Sequence, residues 1–533
     1  MRTRSVKAII ALLCVVAFAH ASVPFVQDIG GSLAFQGQDI VGGAAIIFKP
    51  PKRVRDLTGT AAAVMKRPER SSRPSTQVAR NTGRPRPPTQ PIPTETTETP
   101  SERAEALAAA GDTHITAGRY AEAATAYEQT VRLEPNNAAA YSNLGYAYDK
   151  LGKVSESITA LNTAVRLKPD DVIAFNNLGA SFYKAGRYQE AHAAFRTAVR
   201  LDPNDHDALN NLGAAQYALE LYEPAVQNFQ KAVAAKSDSA DAQYNFGNAL
   251  YMTGRHQQAA AAYRRAIELK RDYVEAHTNL GSLLISLGDL RGAIAELQVS
   301  IRLRAGNPVA HNNLGYAYVK LGETLDRAAA NQYLQQAVAA YKEALRLKPD
   351  YVKAQNNLGA AYNKLNQFEE ALEVLQRATR AKPDFPEAHY NLGTALYGRG
   401  QFKEAVAEFQ QTVRLKSDHA DAYNSLGTAL YKDQQFEPAI DAYKKALALK
   451  PANAETNNNL GTVYFRTRRY KEAAAAFKEA IRLKPDYGEA HFNLALTYVA
   501  LNDRKAALDQ YNRLKKVDPK LADDFFQRYI KAK

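Results

Sequence analysis

Ten histidines and one cysteine are the residues from which metal or nucleophilic chemistry would have to be built in this 533-residue chain. Their spacing argues against both. His277, His311, His389 and His491 lie tens of residues apart, at the same place in a recurring pattern where other copies carry Tyr141, Phe175 or Leu209. They read as packing or groove lining, because the ligands of a metal must converge on one ion. The chain holds no His-Glu-x-x-His, no phosphate-cradling glycine loop and no Gly-x-Ser-x-Gly. Acidic residues are scattered through the helical stretches as solubilising charge. The expectation is a protein without cofactor, metal or catalytic constellation, and not an enzyme.

What does recur is an amide. Asn-Leu-Gly returns about every 34 residues, at Asn143, Asn177, Asn211, Asn279, Asn313, Asn357, Asn391 and Asn459, with variants at Asn245 and Ser425. A fixed period of this length signals a stack of like supersecondary units. Counting units from Ala104, the starts fall at 104, 138, 172, 206, 240, 274, 308, 352, 386, 420, 454 and 488, and the seventh unit is ten residues longer than the rest. Asparagine fills position 6 of most units, including Asn493, and position 5 at Asn176, Asn210, Asn312, Asn356, Asn424 and Asn458. Tyr183, Tyr217, Tyr251, Tyr397 and Tyr431 occupy position 12, and Lys184, Lys320, Lys364 and Lys432 position 13. Amides both donate and accept, so a ladder of them can satisfy a peptide backbone whatever its side chains. Tyrosine adds rigid amphipathic contact area.

The elements that would position these residues are pairs of helices. Each unit has two apolar-periodic stretches of helical length joined by a short turn, as at Leu151-Gly152-Lys153, and the second stretch often ends in proline followed by Asp or Asn, as at Lys168-Pro169-Asp170. Position 8 is Gly in eleven units, with Ala495 in the twelfth, and position 20 is Ala in eleven, with Ser157 the exception. Position 24 is aromatic or Leu (Tyr127, Leu161, Phe195, Phe229, Tyr263), and position 32 is Pro in eight units. A glycine inside a helix costs about 0.8–1 kcal/mol relative to alanine, so close helix approach must return that cost. The expected contact sets Gly at position 8 against the small residues at positions 20 and 27. Gly359→Leu is then expected to destabilise by forcing two helices apart. The seventh unit's extra residues, near Glu323 to Gln332, are expected to lengthen a helix and form a ridge.

On these residues the chain resembles the tetratricopeptide repeat (TPR) family over positions 104–521. The resemblance implies an all-α, right-handed α-solenoid superhelix of antiparallel helix pairs. It also implies that the first helix of each pair lines a concave face along which extended segments lie. On that implication the peptide-binding candidates are Asn143, Asn176, Asn177, Asn210, Asn211, Tyr217, Asn245, Tyr251, Asn279, Asn312, Asn313, Asn356, Asn357, Asn391, Tyr397, Asn424, Tyr431, Asn458 and Asn459. The competing reading is that Asn, Tyr and Lys at these positions belong to the family's repeat grammar. The Asn ladder is also similar to that of the repeat half of O-linked N-acetylglucosamine transferases, whose activity is not carried over.

The ends complete the picture. Residues 522–533 place Phe525, Phe526, Tyr529 and Ile530 at helical spacing opposite Gln527, Arg528, Lys531 and Lys533, the pattern of a capping helix for the last apolar face. Residues 1–21 have the charged, apolar, small-x-small order of a cleavable export signal, and its twelve-residue apolar run (Ala8 to Ala19) is short of the roughly 20 that span a bilayer. Cleavage would remove Cys14, leaving a mature chain with no thiol and no transmembrane segment. Residues 22–65 read as a poorly ordered leader with a short strand at Ala44 to Phe48, or as a docking segment. Residues 66–103 form a Pro/Ser/Thr/Arg-rich linker, with eight prolines between Lys66 and Pro100, either a tether or a proline-rich ligand.

Charge narrows the partners. The first 100 residues carry 14 Lys+Arg against 6 Asp+Glu, so +8 of the chain's +14 lies there and +6 remains for the other 433 residues. An array so mildly basic gives no expectation of nucleic acid. Cations do recur near the ends of the second helices, at Arg166 and Lys168, Arg346 and Lys348, Arg380 and Lys382, Arg414 and Lys416, and Arg482 and Lys484. They either complement helix dipoles or form a ridge for an anionic polymer. The reading is an exported, periplasmic or extracellular scaffold of the cell envelope that binds proteins or peptides in an Asn/Tyr groove, the alternative being a module for a glycan or an anionic envelope polymer.

Overall fold

A computed structural model describes residues 99–530, so the export signal, the leader and nearly all of the linker lie outside the described residues. The described residues form 25 helices and no strand, and the chain divides between Leu280 and Gly281 into two compact units. In the first unit the pairs are Pro100–Thr116 with Tyr120–Leu133, Ala138–Lys150 with Val154–Leu167, and Val172–Lys184 with Tyr188–Leu201. His206–Ala218 with Tyr222–Ala235 and Ala240–Met252 with His256–Leu269 complete them. Helix Val274–Ser286 carries the boundary. The second unit continues with Leu290–Leu303, then Pro308–Gly322 with Arg327–Leu347, Val352–Lys364 with Phe368–Ala381, and Pro386–Gly398 with Phe402–Leu415. It ends with Ala420–Lys432 and Phe436–Leu449, Ala454–Arg466 and Tyr470–Leu483, and Gly488–Ala500 and Arg504–Val517. Within each unit, consecutive first helices touch one another, from Ala138–Lys150 to Ala240–Met252 and from Pro308–Gly322 to Gly488–Ala500. The first helices of each unit therefore form a row.

Local chemistry sets the boundaries. At position 34 a short side chain caps the next first helix: Asn137, Asp171, Asp205, Ser239, Asn307 and Asn453 each accept a backbone N–H of the first turn. Where position 34 is aromatic the cap is absent, and the preceding lysine lies over the ring instead (Lys348 on Tyr351, Lys382 on Phe385, Lys484 on Tyr487). The turn between paired helices needs one left-handed residue, usually glycine (Gly152, φ 78°) but also Glu220, Asn366, Gln434, Arg468 and Asn502.

The glycine at position 8 packs differently from expectation. A Cβ on Gly359 would lie 2.6 and 2.7 Å from the two methyl carbons of Leu375, and one on Gly179 would lie 2.6 Å from two ring carbons of Phe195. The nearest neighbour of the absent side chain is the large residue at position 24, while position 20 lies against the glycine as expected, with Ser157 Oγ donating to the Gly145 carbonyl at 2.7 Å. The missing side chain is a socket for a knob from the second helix; Tyr127, Phe195, Leu375 and Phe477 are accordingly buried at 1% exposure or less.

The long seventh repeat extends its second helix, as expected, to 21 residues against 14 in its neighbours, with Asp326 accepting from the Ala328 and Ala329 N–H groups at 3.0 Å. The C-terminal cap starts earlier than expected, at Pro519 rather than residue 522. Asp518 accepts from the Leu521 N–H at 3.0 Å, with the proline in the first helical position. Phe525 is buried, its ring 5.5 Å from that of Phe492 and 6.3 Å from that of Tyr511, so the cap covers the last repeat as expected.

Candidate functional site

The asparagine ladder is a set of bonds between repeats. The position-6 amide of one repeat donates from Nδ2 to the position-5 Oδ1 of the repeat before it. In the first unit Asn211 donates to Asn176 at 3.0 Å and Asn245 to Asn210 at 3.1 Å. Two donors that meet no position-5 Asn find a substitute: Asn143 uses Asp112 at 3.2 Å, and Asn279 uses the Tyr244 hydroxyl at 3.0 Å and Asn248 Oδ1 at 3.1 Å, whereas Asn313 Nδ2 finds none. In the second unit Asn357 donates to Asn312 at 3.0 Å, Asn391 to Asn356 at 2.8 Å, Asn459 to Asn424 at 3.4 Å and Asn493 to Asn458 at 3.1 Å. Asn312 Nδ2 turns to Asn313 Oδ1 at 3.2 Å. Asn143, Asn357 and Asn424 are half-buried; Asn177 and the other candidate asparagines are buried. Most of the position-6 Nδ2 groups are thus engaged within the chain, while Oδ1 of Asn245, Asn279, Asn391 and Asn459 and Nδ2 of Asn313 have no partner there.

The position-12 tyrosines lie at the far end of each first helix, paired with the aromatic residue that opens the second helix. Tyr183 meets Tyr188 with centroids 5.0 Å apart, Tyr217 meets Tyr222 at 5.4 Å and Tyr251 meets His256 at 5.3 Å. Tyr397 meets Phe402 at 5.3 Å and Tyr431 meets Phe436 at 5.9 Å. These contacts hold the rings rigid. Burial pushes the Tyr217 and Tyr251 hydroxyls up to about 12, so they act as neutral groups. Tyr251 and Tyr397 are buried, whereas Tyr217 and Tyr431 keep a partly open edge.

The position-13 lysines each meet a carboxylate where their bonds are resolved. Lys184 reaches Asp149 of the preceding repeat at 3.1 Å, and Lys320 and Lys364 share Glu323 at 2.9 and 2.8 Å. Much of the basic stripe at the second-helix ends is likewise partnered within the chain. Besides the lysines over aromatic rings, Arg346 pairs with Glu343 at 2.7 Å and Arg482 with Glu479 at 2.6 Å.

The four aligned histidines are tied to the backbone, with Nε2 of His277, His311, His389 and His491 3.0–3.1 Å from the carbonyl oxygen six residues earlier. His389 Nδ1 also lies 2.6 Å from Glu408. Burial alone would lower its pKa, but the bonds to Glu408 and the Pro383 carbonyl raise it overall. The one group of three among the described residues whose ligand atoms could hold a cation is Asp205, His206 and Asp207, within 4.8 Å of one another. Asp205, however, is already the cap of its helix, accepting from the Asp207 and Ala208 N–H groups.

Sequence reading placed positions 5 and 6 in one stripe and missed that they bond across the boundary. The signal was available, since the bonded pairs recur at a separation of 35 rather than 34 residues. It also passed over Glu323 as one residue of an insertion.

Among the described residues no helix is long and apolar enough to cross a membrane. No curated protein matches the chain. Among solved structures it is similar to the Cut9–Hcn1 hetero-tetramer of the APC/C, at 15% identity and a TM-score of 0.44, covering 82% of this chain and 99% of that one. It is also similar to YrrB, described as a TPR protein with an unusual peptide-binding site (22% identity, TM-score 0.32, 36% of this chain and 99% of that one). A third is MamA of Desulfovibrio magneticus RS-1 (26% identity, TM-score 0.30, 32% and 95%). Tetratricopeptide repeat models match residues 108–172, 176–240, 390–454 and 458–522, and TPR repeat models match 247–284, 281–322, 329–365 and 359–400. With these matches on its helix pairs and on its glycine sockets, the chain belongs to the tetratricopeptide repeat family.

Proposed function

We propose that the protein is a non-enzymatic scaffold of the cell envelope that holds extended peptide segments of other proteins along its row of first helices. Proteins of this family are generally non-catalytic scaffolds, and the fold is consistent with protein–protein interaction. The observation that carries the reading is the row itself. Consecutive first helices touch, amide bonds fix their register, and one edge presents tyrosines and lysines that differ from repeat to repeat. A surface already held in place binds without a large ordering cost. The charged, apolar, small-residue order of residues 1–21 supports an exported location. A polymer or glycan is served less well, because many of the helix-end cations already have partners in the chain.

The test is cross-linked co-purification from native cells. It compares the intact protein with a folded variant carrying Lys184→Gln, Tyr217→Phe, Tyr431→Phe and Lys432→Gln. Capture of a discrete set of proteins, lost in the variant and displaced by a synthetic peptide from their cross-linked segments, is the expected result. Retention of the same set moves the binding surface elsewhere. Fractionation and amino-terminal sequencing of the mature protein check export, with Ser22 expected as the first residue.

A further inference from the structure

The connections that lead from each second helix into the next first helix, positions 29–34 of the repeats, differ in charge between the two units. In the first unit the segments 132–137, 166–171, 200–205, 234–239 and 268–273 hold seven Lys+Arg against eight Asp+Glu. In the second unit the segments 302–307, 346–351, 380–385, 414–419, 448–453 and 482–487 hold eleven against four. Helix dipoles account for cations at helix ends in both units, but not for the loss of acidic neighbours from one of them. The second unit also gives up helix caps at three of these points. Asp171 and Asp205 cap helices of the first unit through their carboxylates, whereas Tyr351, Phe385 and Tyr487 stand at the same position and give no cap.

Apolar groups accompany the charge. Leu303, Leu415 and Leu449, at position 30, keep 38–44% of their surface in water. Each stands beside a cation at position 31, and Leu303 and Leu415 follow an arginine at position 29 as well. The rings of Tyr351, Phe385 and Tyr487 are half-buried, with Lys348, Lys382 and Lys484 at 5.6, 5.4 and 5.1 Å from their centroids. The counterparts in the first unit are placed differently. Exposed Leu133 stands beside Glu134, and Tyr273 is 0% exposed with its hydroxyl donating to Asp241 at 2.7 Å. The first helices of the second unit form a row in register, so the connections at their N-terminal ends lie along one side of it. An edge of leucines and rings bordered by long cationic side chains matches the boundary of a bilayer, where apolar groups enter and charges stay at the headgroups.

We propose that this edge of the second unit is a docking surface for an anionic phospholipid bilayer. The function is a further one, separate from any segment held along the first helices. Arginines and lysines supply the attraction to phosphate headgroups, and the leucines and rings supply apolar area that a bilayer can cover. Pairing within the chain leaves the cations available. Arg346 and Arg482, bonded to Glu343 and Glu479, keep 68% of their side-chain surface exposed, and ion pairs that open are weak enough to exchange for phosphates. A soluble polyanion can use the charges alone, whereas a bilayer also takes the leucines. That difference makes the occupant identifiable.

Vesicle flotation and hydrogen exchange on the full chain test this, with vesicles mixing phosphatidylcholine and phosphatidylglycerol. Binding is expected to slow exchange in residues 346–351, 414–419 and 448–453 and to leave 166–171 and 200–205 unchanged. Arg380→Gln, Lys382→Gln, Arg414→Gln and Lys416→Gln together should weaken partitioning about ten-fold or more. Arg166→Gln, Lys168→Gln, Arg200→Gln and Lys236→Gln, which remove equal charge from the first unit, should weaken it less than about three-fold. Leu303→Gln, Leu415→Gln and Leu449→Gln together should weaken partitioning about ten-fold, with affinity for soluble polyphosphate kept within about two-fold. No partitioning by the wild type, equal losses from the two charge sets, or exchange slowed alike in both units overturns the proposal. So does a leucine variant that partitions as the wild type does, since the edge then answers to charge alone, as a polymer site would. Charge common to every chain compared, including that of residues 1–98, cannot produce these differences. The scaffold reading is tested by protein capture and stands or falls apart from them.

Discussion

The glycine socket makes a prediction whose sign depends on its neighbour. Gly359 lies inside helix Val352–Lys364, and replacing it by Ala should gain about 1 kcal/mol in intrinsic helix propensity. In the native packing the new methyl would stand 2.6 and 2.7 Å from the methyl carbons of Leu375, which is 0% exposed and cannot swing into solvent. Overpacking of this kind costs about 1–3 kcal/mol, so the net effect of Gly359→Ala is a loss of about 0–2 kcal/mol. Leu375→Ala alone should cost about 2–5 kcal/mol by opening a cavity. In that background the Gly359→Ala methyl has room, partly fills the cavity and delivers the propensity gain, so the same substitution becomes stabilising by about 1 kcal/mol. The double-mutant cycle should therefore show a coupling of about 1–3 kcal/mol, against about 0.3–0.5 kcal/mol for unconnected sites. A stack of repeats need not unfold as one unit, and a global melting temperature would dilute the signal. Native-state hydrogen exchange read on Val352–Lys364 and Phe368–Ala381 isolates it. Equal effects of Gly359→Ala in both backgrounds, within about 0.5 kcal/mol, refute the knob-and-socket account.

Other perturbations probe the remaining contacts. Asn356→Ala leaves the buried Asn391 Nδ2 without its 2.8 Å acceptor and should cost about 1–3 kcal/mol, most of it recovered by adding Asn391→Leu, as read by exchange in the helices Val352–Lys364 and Pro386–Gly398. His419 caps helix Ala420–Lys432 through Nδ1, which accepts from the Ala422 N–H at 3.2 Å, and burial, with Lys416 nearby, lowers its pKa. Its stabilisation is complete above the unfolded value near 6.5 and lost as pH falls below it, a loss that His419→Asn should abolish in imidazole titration and exchange of residues 420–424. His389, whose pKa the bonds to Glu408 and the Pro383 carbonyl raise against burial, has the opposite sign: its contribution is full below about 6.5 and lost as pH rises through its higher folded value. Gln434→Gly and Arg468→Gly, at φ 62° in both cases, should stabilise by up to about 1 kcal/mol in denaturant melts, whereas Gly254→Ala, at φ 74°, should destabilise.

Most of the fold was legible because a repeat is a local object. Proline and a capping residue end one helix and start the next, a left-handed turn residue folds the pair, and a fixed period copies the result along the chain. What was not legible concerns contacts between columns of the alignment. Small residues at positions 8, 20 and 27 suggested small packed on small; the geometry instead seats the largest residue of the second helix in the smallest position of the first. The asparagines were harder still. They share two adjacent columns, and only the stacking of one repeat on the next reveals that a donor in one column meets an acceptor in the other. Glu323 was illegible for a different reason, since an insertion has no column at all.

That difference bears on where specificity resides. Groups copied in many repeats do internal work: most position-6 Nδ2 groups, the lysines of position 31 over aromatic rings, and the aligned histidines on backbone carbonyls bond within the chain. Because nearly every copy is occupied in the same way, these groups make the row rigid but cannot distinguish one bound segment from another. Discrimination has to come from positions whose chemistry changes along the row. Position 12 runs from Asp149 through Tyr183 and Tyr217 to Asn363, Tyr397 and Phe465, and position 13 from Lys184 through Ala218 to Lys320, Lys364 and Arg466. Consecutive lysines at position 13 occur twice, at Lys150 and Lys184 and at Lys320 and Lys364, and the second pair shares a carboxylate, Glu323, from the lengthened seventh repeat.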